Sequence, residues 1–188
     1  MQRSKTSAST SSFTALKAVR PHLELMRASA DETTNPSRAG LGLLMLWLCD
    51  DIEQSANSRL ASFGLSENKF DVLMFFSLAE RGLVESQAIT PSNIAEYFGV
   101  TRSTVTSLLD WLEKRDLLRR KLSTEDRRSF ALELTDEGRK VVDEALPAFW
   151  QMCESLTSSL DEAECQVLQK LLAKLWTQLK SGAKTGRR

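Results

Sequence analysis

The stretch TRSTVTSLLDWLEKRDLLRRKLSTEDRRSFALELTDEG, residues 101–138, decides the fold, because it joins an amphipathic helix to a short, arginine-rich hairpin. The evidence for the helix is periodicity. Four apolar residues recur at i, i+3, i+4 and i+7 and therefore share one arc of the helical wheel. They are Val105, Leu108, Leu109 and Leu112. We predict that this arc packs into a hydrophobic core.

The opposite side of the same helix is rich in hydroxyl groups. Short hydroxyl side chains donate to and accept from base edges and phosphates, and a threonine methyl group can contact a thymine methyl group. The pattern is therefore consistent with a helix that enters the DNA major groove, although an ordinary solvated face has the same composition. At 100° per residue this side carries Ser103, Thr106, Ser107, Asp110 and Lys114, flanked by Arg102 and Thr104.

The hairpin favours the DNA interpretation. Alternation over residues 130–134 predicts a strand that is buried on one face. Between residues 119 and 128 there are five basic and two acidic side chains, in a chain whose formal net charge is zero. A positive tip of this kind suits the phosphate backbone, or an arginine inserted into the narrow minor groove. The alternative is a charged turn that serves only solubility.

These motifs, taken in order, resemble the MarR family of bacterial transcription regulators, from about residue 40 to about residue 180. The resemblance implies a mainly α (α+β) fold, in which N- and C-terminal helices form a dimerisation region around a winged helix-turn-helix domain. The matching segments are Leu65–Leu73 for the first helix of the DNA-binding domain, Ile89–Val100 for the helix-turn, Thr101–Leu117 for the recognition helix and Asp126–Gly138 for the wing and the next helix start.

The resemblance also implies a function. Members of the family are sequence-specific DNA-binding regulators, most often repressors, that bind a pseudo-palindromic operator as homodimers. Their recognition helices enter the major groove and a wing arginine enters the minor groove. By residue, it implies that Asp126 orients the wing and that Arg128 is the minor-groove arginine. The full set of implied DNA contacts is Thr101, Arg102, Ser103, Thr104, Thr106, Ser107, Asp126, Arg127 and Arg128.

Three residues depart from the family pattern. Ser107 and Trp111 stand where these proteins often carry arginine, lysine or glycine, and Asp116 stands where a glycine is common before the hairpin. The departures leave the fold prediction unchanged and alter the expected operator preference. Ser107 and Trp111 also keep open an alternative, a winged-helix module that acts through protein contacts without DNA.

Composition and motifs argue against several other classes of protein. The longest apolar stretch, Leu41–Cys49, is far shorter than the ~20 residues of a membrane span, and the N-terminus lacks the apolar region of a signal peptide. The single histidine and the lack of nucleophile-elbow, metalloprotease and nucleotide-binding motifs argue against an enzyme and against a cofactor. Three scattered cysteines without a CxxC pair argue against a metal site. We expect a cytoplasmic regulator.

The chain divides into five predicted segments. Residues 1–37 form a flexible or partly helical extension in which Pro21 interrupts the helical spacing, and residues 38–64 form the N-terminal dimerisation helix. Residues 65–135 form the winged domain. Residues 136–180 form C-terminal dimerisation helices, with Pro147 expected to kink or interrupt the first, and residues 181–188 form a basic tail. The terminal helices are apolar on more than one side, which favours pairing with a second copy.

The resemblance implies a small aromatic or phenolic effector that releases the DNA. It would bind between the dimer helices and the winged domain, near Trp47, Asp51, Phe70 and Met74, although all but the aspartate are equally consistent with plain core residues. A second possible trigger is thiol oxidation, for which Cys49 on the N-terminal dimerisation helix is the candidate.

Overall fold

The computed structural model describes residues 6–84, 89–122 and 130–185. Within these ranges the protein is mainly helical, with one antiparallel sheet of two strands, which confirms the predicted fold class. In chain order the elements are α1 (Thr6–Ser29), α2 (Pro36–Leu60), a 3₁₀ turn (Ala61–Phe63), α3 (Glu67–Glu80), α4 (Pro91–Phe98), α5 (Arg102–Lys114), β1 (Leu118–Leu122), β2 (Phe130–Leu134), α6 (Asp136–Leu156) and α7 (Glu162–Thr185).

The chain forms two compact units. The first comprises residues 1–47 and 153–188, and the second comprises residues 48–152. The boundaries therefore fall within α2 and α6. Across the part of the chain that the structure describes, none of the helices is long and apolar enough to cross a membrane.

The second unit contains the larger hydrophobic core, and α3 contributes to it most heavily. Phe70, Leu73 and Phe76 on α3 are at most 1% exposed. The predicted apolar arc of α5 is confirmed, because Val105, Leu109 and Leu112 are buried and Leu108 is half-buried. Burial of this apolar surface is the main stabilising term for the unit. Other helices and both strands complete the core through Leu60, Leu65, Ile94, Leu117, Leu118, Leu132, Leu134, Val142 and Ala145.

The two strands pair in an antiparallel register that places Leu118 opposite Leu134 and Arg120 opposite Leu132. Leu132 and Leu134 are buried, whereas Glu133 between them is half-exposed. The alternation predicted from the sequence is therefore confirmed for these residues. The register also directs Arg120 to the face of the sheet that carries Leu118, since side chains two residues apart share a face.

In the first unit α1 packs on the beginning of α2. Val19 is 4% exposed, and the Leu23 side chain approaches Gly40 so closely that a Cβ there would lie 2.9 Å from it. The helix continues through Pro21, so the predicted interruption is wrong. A proline removes one backbone hydrogen bond, but these contacts on both sides of it hold the helix.

Helices α6 and α7 occupy the part of the chain predicted for the C-terminal helices, and they differ from the prediction in two ways. Asp161 and Glu164 form a reciprocal capping box at the start of α7, in which each carboxylate accepts from the other residue's N–H at 2.9 Å. The two carboxylates also suit the positive end of the helix dipole at this terminus. Helix α6 continues through Pro147 without a break, and α7 extends to Thr185 into the predicted tail.

Candidate nucleic-acid interface

The turn between α4 and α5 is built by two threonine caps and one glycine. Thr90 accepts from the N–H of Asn93 at 3.2 Å, and Pro91 occupies the first helical turn, where its missing N–H is not needed. Gly99 ends α4 with a left-handed φ of 70°. These local signals, with Thr90 as the N-cap of α4, fix the angle at which α5 leaves α4.

Thr101 caps α5. Its hydroxyl oxygen accepts from the N–H of Thr104 at 3.2 Å and lies 2.8 Å from the hydroxyl oxygens of both Ser103 and Thr104. The side chain therefore stabilises the start of α5 and orders its two neighbours. The DNA contact expected of Thr101 stays a prediction, beside this structural role.

The residues expected to contact DNA on α5 form one exposed face. Arg102, Ser103, Thr104, Thr106 and Ser107 are all exposed on its first two turns. Asp110 continues the same stripe one turn further along and is exposed as well. The hydroxyl-rich face predicted from the helical wheel thus exists, and its later part carries the acidic Asp110 and the basic, exposed Lys114.

The hydroxyl groups of Thr106 and Ser107 both donate hydrogen bonds to the backbone of α5. Thr106 donates to the carbonyl oxygen of Arg102 at 2.9 Å, and Ser107 donates to that of Ser103 at 3.1 Å. A hydroxyl that donates its one proton keeps acceptor lone pairs. In this conformation Thr106 and Ser107 therefore present acceptors, which match the amino groups of adenine and cytosine in a major groove.

The wing is described only at its base. The predicted wing contacts Asp126, Arg127 and Arg128 lie outside the described residues, so their roles stay predictions. On β1, Arg119 donates to Glu133 at 2.6 Å, and the Lys121 ammonium lies 3.6 Å from the same carboxylate. The hydrogen bond from Arg119 is the first cause of the lowered pKa of Glu133.

The remaining cation of β1, Arg120, pairs with two carboxylates of α5. The Arg120 guanidinium donates to the Glu113 carboxylate at 2.8 and 2.9 Å, and one of its nitrogens lies 3.3 Å from Asp110. The hydrogen bond to Glu113 is the main reason that the pKa of Arg120 is raised. The sequence interpretation counted the cations of β1 toward a positive tip, whereas the structure engages all three in ion pairs.

The two departures from the family pattern at the end of α5 have structural explanations. Trp111 is half-buried between the Lys69 ammonium, 4.0 Å from its ring centroid, and the Arg115 guanidinium, 4.7 Å away. The aromatic face therefore makes cation–π contacts within the protein. Asp116 has a left-handed φ of 55°, a conformation that glycine adopts without strain.

The residues expected near an effector lie in different surroundings. Trp47, in the first unit, packs edge-on against His22 with ring centroids 5.0 Å apart. In the second unit Asp51 is exposed, Met74 is half-buried against the core, and Phe70 is fully buried with its ring 5.1 Å from Phe149. The structure gives Phe70 a packing role, and effector contact by these residues stays a prediction.

A feature that the sequence interpretation missed lies on α3. Burial raises the pKa of Asp71. Burial also raises the pKa of Glu67, helped by the neighbouring charges of Asp71 and Glu53. Only the packing of α3 reveals this effect, because the carboxylates themselves look like solvated helix residues in the sequence. Among the described residues, no group of three or more histidine, cysteine or acidic side chains is arranged to hold a metal ion.

Helices α3, α4 and α5, together with the β1–β2 hairpin that leads into α6, define a winged helix-turn-helix protein. The profile of the MarR family matches residues 78–130. The transcriptional regulator PecS of Dickeya dadantii (strain 3937) is 32% identical over 124 residues, which are 66% of this chain and 72% of that protein. The chain therefore belongs to the MarR family of transcriptional regulators, as its motifs predicted.

Two further relatives extend the match along the chain. The transcriptional repressor YetL of Bacillus subtilis (strain 168) is 28% identical over 163 residues, covering 84% of this chain and 95% of that protein. The crystal structure of a complex of S. aureus MepR with DNA aligns with a TM-score of 0.64 and 25% identity, covering 73% of this chain and 96% of that one. The similarity thus includes most of the described helices and is not confined to the winged domain.

Proposed function

We propose that this protein is a homodimeric repressor that binds a pseudo-palindromic operator. The observation that carries the proposal is the exposed hydroxyl-rich face of α5, because it is held by a capped helix start and a buried apolar arc beside a two-stranded wing. The naming of YetL as a repressor and the DNA complex of MepR support the same conclusion.

In this proposal α5 lies in the major groove. Ser103, Thr106 and Ser107 face base edges, Arg102 contacts a phosphate, and the wing carries Arg128 into the minor groove. Hydroxyl groups that present acceptors favour sites with adenine or cytosine amino groups at the contacted positions. Exchanging Thr106 for valine should therefore change which base is preferred there, whereas loss of a phosphate contact at Arg102 should weaken binding to all sequences alike.

The second copy of the chain would cover the apolar surface of the terminal helices. Large side chains there are strongly exposed, and surface of this kind marks an interaction site when it is contiguous. On α7 the exposed residues are Val167, Leu171, Leu172, Trp176 and Leu179, and on α1 and the first part of α2 they are Leu25, Leu41 and Leu46. A homodimer also brings two recognition helices to one face of the duplex.

An effector would act on this dimer by favouring the arrangement that does not fit DNA, since a ligand shifts an equilibrium only through unequal affinity for the two states. We propose a small aromatic or phenolic anion as the effector, with Trp47 as the candidate contact to be tested. Titration of the protein–DNA complex with hydroxybenzoates tests this step. Release of DNA by one of them, reduced in a Trp47→Phe variant, supports it.

Footprinting on the intergenic DNA upstream of the gene tests the operator proposal. We expect two protected half-sites whose centres lie about one helical turn, or ~34–36 Å, apart, because the dimer repeats the contact with twofold symmetry. Protection of a single half-site, or no protection of either this DNA or an unrelated DNA at any protein concentration tested, would contradict the proposal. The latter result would favour the protein-interaction module.

A further inference from the structure

The ion pairs of Arg120 place one positive and two negative charges at the end of the recognition helix. Asp110 and Glu113 lie three residues apart and therefore share one side of α5. Asp110 also continues the exposed stripe of Ser103 and Thr106. A phosphate backbone that approaches this stripe meets both carboxylates beside the exposed Lys114, and the charge of the carboxylates opposes binding.

The geometry points to a specific role for Arg120. It reaches from β1 across to α5, where two of its nitrogens bond the Glu113 carboxylate at 2.9 and 2.8 Å and one lies 3.3 Å from Asp110. Both carboxylates thereby share a single guanidinium, and the forked pair with Glu113 is a geometry that lysine cannot reproduce. The Arg120 side chain itself is 51% exposed, so the pairing occurs at the surface near the proposed DNA site.

We propose that Arg120 is a positioning residue that acts as a built-in counter-ion. By pairing with Glu113 and Asp110 it reduces the negative charge at the end of α5 and so permits that helix to approach the phosphate backbone. The inference rests on the proposed DNA-binding function. It differs from the ordinary expectation for a wing arginine, which would contact a phosphate directly.

The test is a comparison of variants with equal local charge. Arg120, Glu113 and Asp110 together carry one net negative charge. Arg120→Gln makes it two, and we expect operator binding to weaken about fivefold, because a surface charge a few ångströms from phosphates contributes a fraction of a kcal/mol to each. Arg120→Gln combined with Glu113→Gln restores the wild-type charge, so the double variant should bind within about twofold of the wild type.

A direct phosphate contact predicts a different pattern. In that case the double variant would bind as weakly as Arg120→Gln, and the slope of log K against log salt would become smaller by ~0.9, as expected for one lost contact. That result would overturn the counter-ion role. A double variant with wild-type affinity and an unchanged slope supports it, and a purely structural role of Arg120 would produce no such rescue.

Two further experiments show whether a negative result overturns the counter-ion role of Arg120 or the proposed DNA-binding function. Arg139 pairs with Glu80 of α3 at 2.9 Å and with Asp136 of α6 at 2.8 Å rather than with the carboxylates of α5, so Arg139→Gln makes the same charge change and should leave affinity within about twofold of the wild type. If Arg120→Gln does not fold, Glu113→Gln alone still tests the idea, because it should tighten operator binding. Equal or weaker binding would overturn the counter-ion role, whereas a wild-type protein that does not select its upstream DNA would overturn the proposed function instead.

Discussion

The hydroxyl of Thr135 donates a hydrogen bond to the backbone carbonyl of Asp116 and joins the end of the recognition helix to the start of α6. The same oxygen accepts from the N–H of Gly138 at 2.9 Å, and the N–H of Thr135 donates to the carbonyl of Leu117 at 3.2 Å. Thr135 thus caps α6, and it is also a tertiary link. The side chain is buried, so water does not replace these bonds when they are lost.

Thr135→Val keeps the shape of the side chain and removes its hydroxyl. We expect the free energy of unfolding to fall by about 1–2 kcal/mol, since one helix cap and one buried carbonyl lose their partner. Urea denaturation followed by circular dichroism measures the change. Thr135→Ser keeps the oxygen and should lose less than half as much; equal losses would show that the hydroxyl is not responsible.

Gly138 permits the close approach of α6 to the end of α5. A Cβ at this position would overlap the carbonyl oxygen of Leu117. Since that atom belongs to the backbone and is held by the N–H of Thr135, it cannot move aside. Gly138→Ala should therefore lower the free energy of unfolding by about 3 kcal/mol, although alanine is the better helix former.

A matched substitution in the same helix shows whether the effect is local. Lys140 is exposed on α6, two residues further along. Lys140→Ala should change the free energy of unfolding by no more than about 0.5 kcal/mol. A loss at Gly138→Ala that is no larger than the loss at Lys140→Ala would show that the helix can shift away from Leu117.

Asp116 occupies a position that suits glycine. The N–H of Asp116 bonds to the carbonyl of Glu113, and the N–H of Leu117 bonds to that of Leu112, which is the Schellman motif. The same pair of bonds closes the preceding helices at Gly99 and at Gly82. The family preference for glycine at position 116 therefore has a backbone cause.

Two substitutions measure the strain at this position. Asp116→Gly should leave the free energy of unfolding unchanged or raise it by up to about 1 kcal/mol, because relief of the left-handed strain is partly offset by the greater freedom of the unfolded chain. Asp116→Val should lower it by about 1–2 kcal/mol. If both variants were destabilised equally, the aspartate side chain, and not the backbone conformation, would be what matters.

Asp71 gives the stability a defined pH dependence. Burial raises its pKa in the folded protein above the ordinary value of 3.8. A carboxyl group of this kind favours folding while it is protonated, so its contribution is fully present below pH 3.8 and is lost as the pH rises through the folded-state pKa. The ionised group therefore destabilises the protein at neutral pH.

Asp71→Asn should accordingly stabilise the protein at pH 7 and lose this advantage in acid. The measurement is the free energy of unfolding of both proteins at a series of pH values, with the exposed Asp51→Asn variant as the control. A stability difference between wild type and Asp71→Asn that does not change with pH would contradict the buried-carboxylate interpretation.

Much of the winged domain could be predicted because its signals are local. The apolar period of Val105, Leu109 and Leu112 and the caps at Thr90 and Thr135 depend on residues a few positions apart. The MarR motifs then supplied the order of the elements, which the family match confirms. The strand alternation at residues 130–134 is a signal of the same local kind.

The pairings of charged residues could not be predicted, because they depend on how elements meet. Arg119 bonds Glu133 only in the observed strand register, and Arg120 bonds Glu113 only because β1 lies along α5. The sequence shows the cations but not their partners, so it overstated the free positive charge at the base of the wing. For the same reason Pro21 was expected to interrupt a helix that tertiary packing maintains.

The central claim is that this protein selects an operator. The most direct measurement is fluorescence anisotropy of the purified protein with labelled upstream intergenic DNA at several salt concentrations, with unrelated DNA of equal length as the control. We expect selective binding whose log K falls linearly with log salt, because phosphate contacts release counterions. Binding no tighter than to the unrelated DNA, or an affinity that does not depend on salt, would contradict the account.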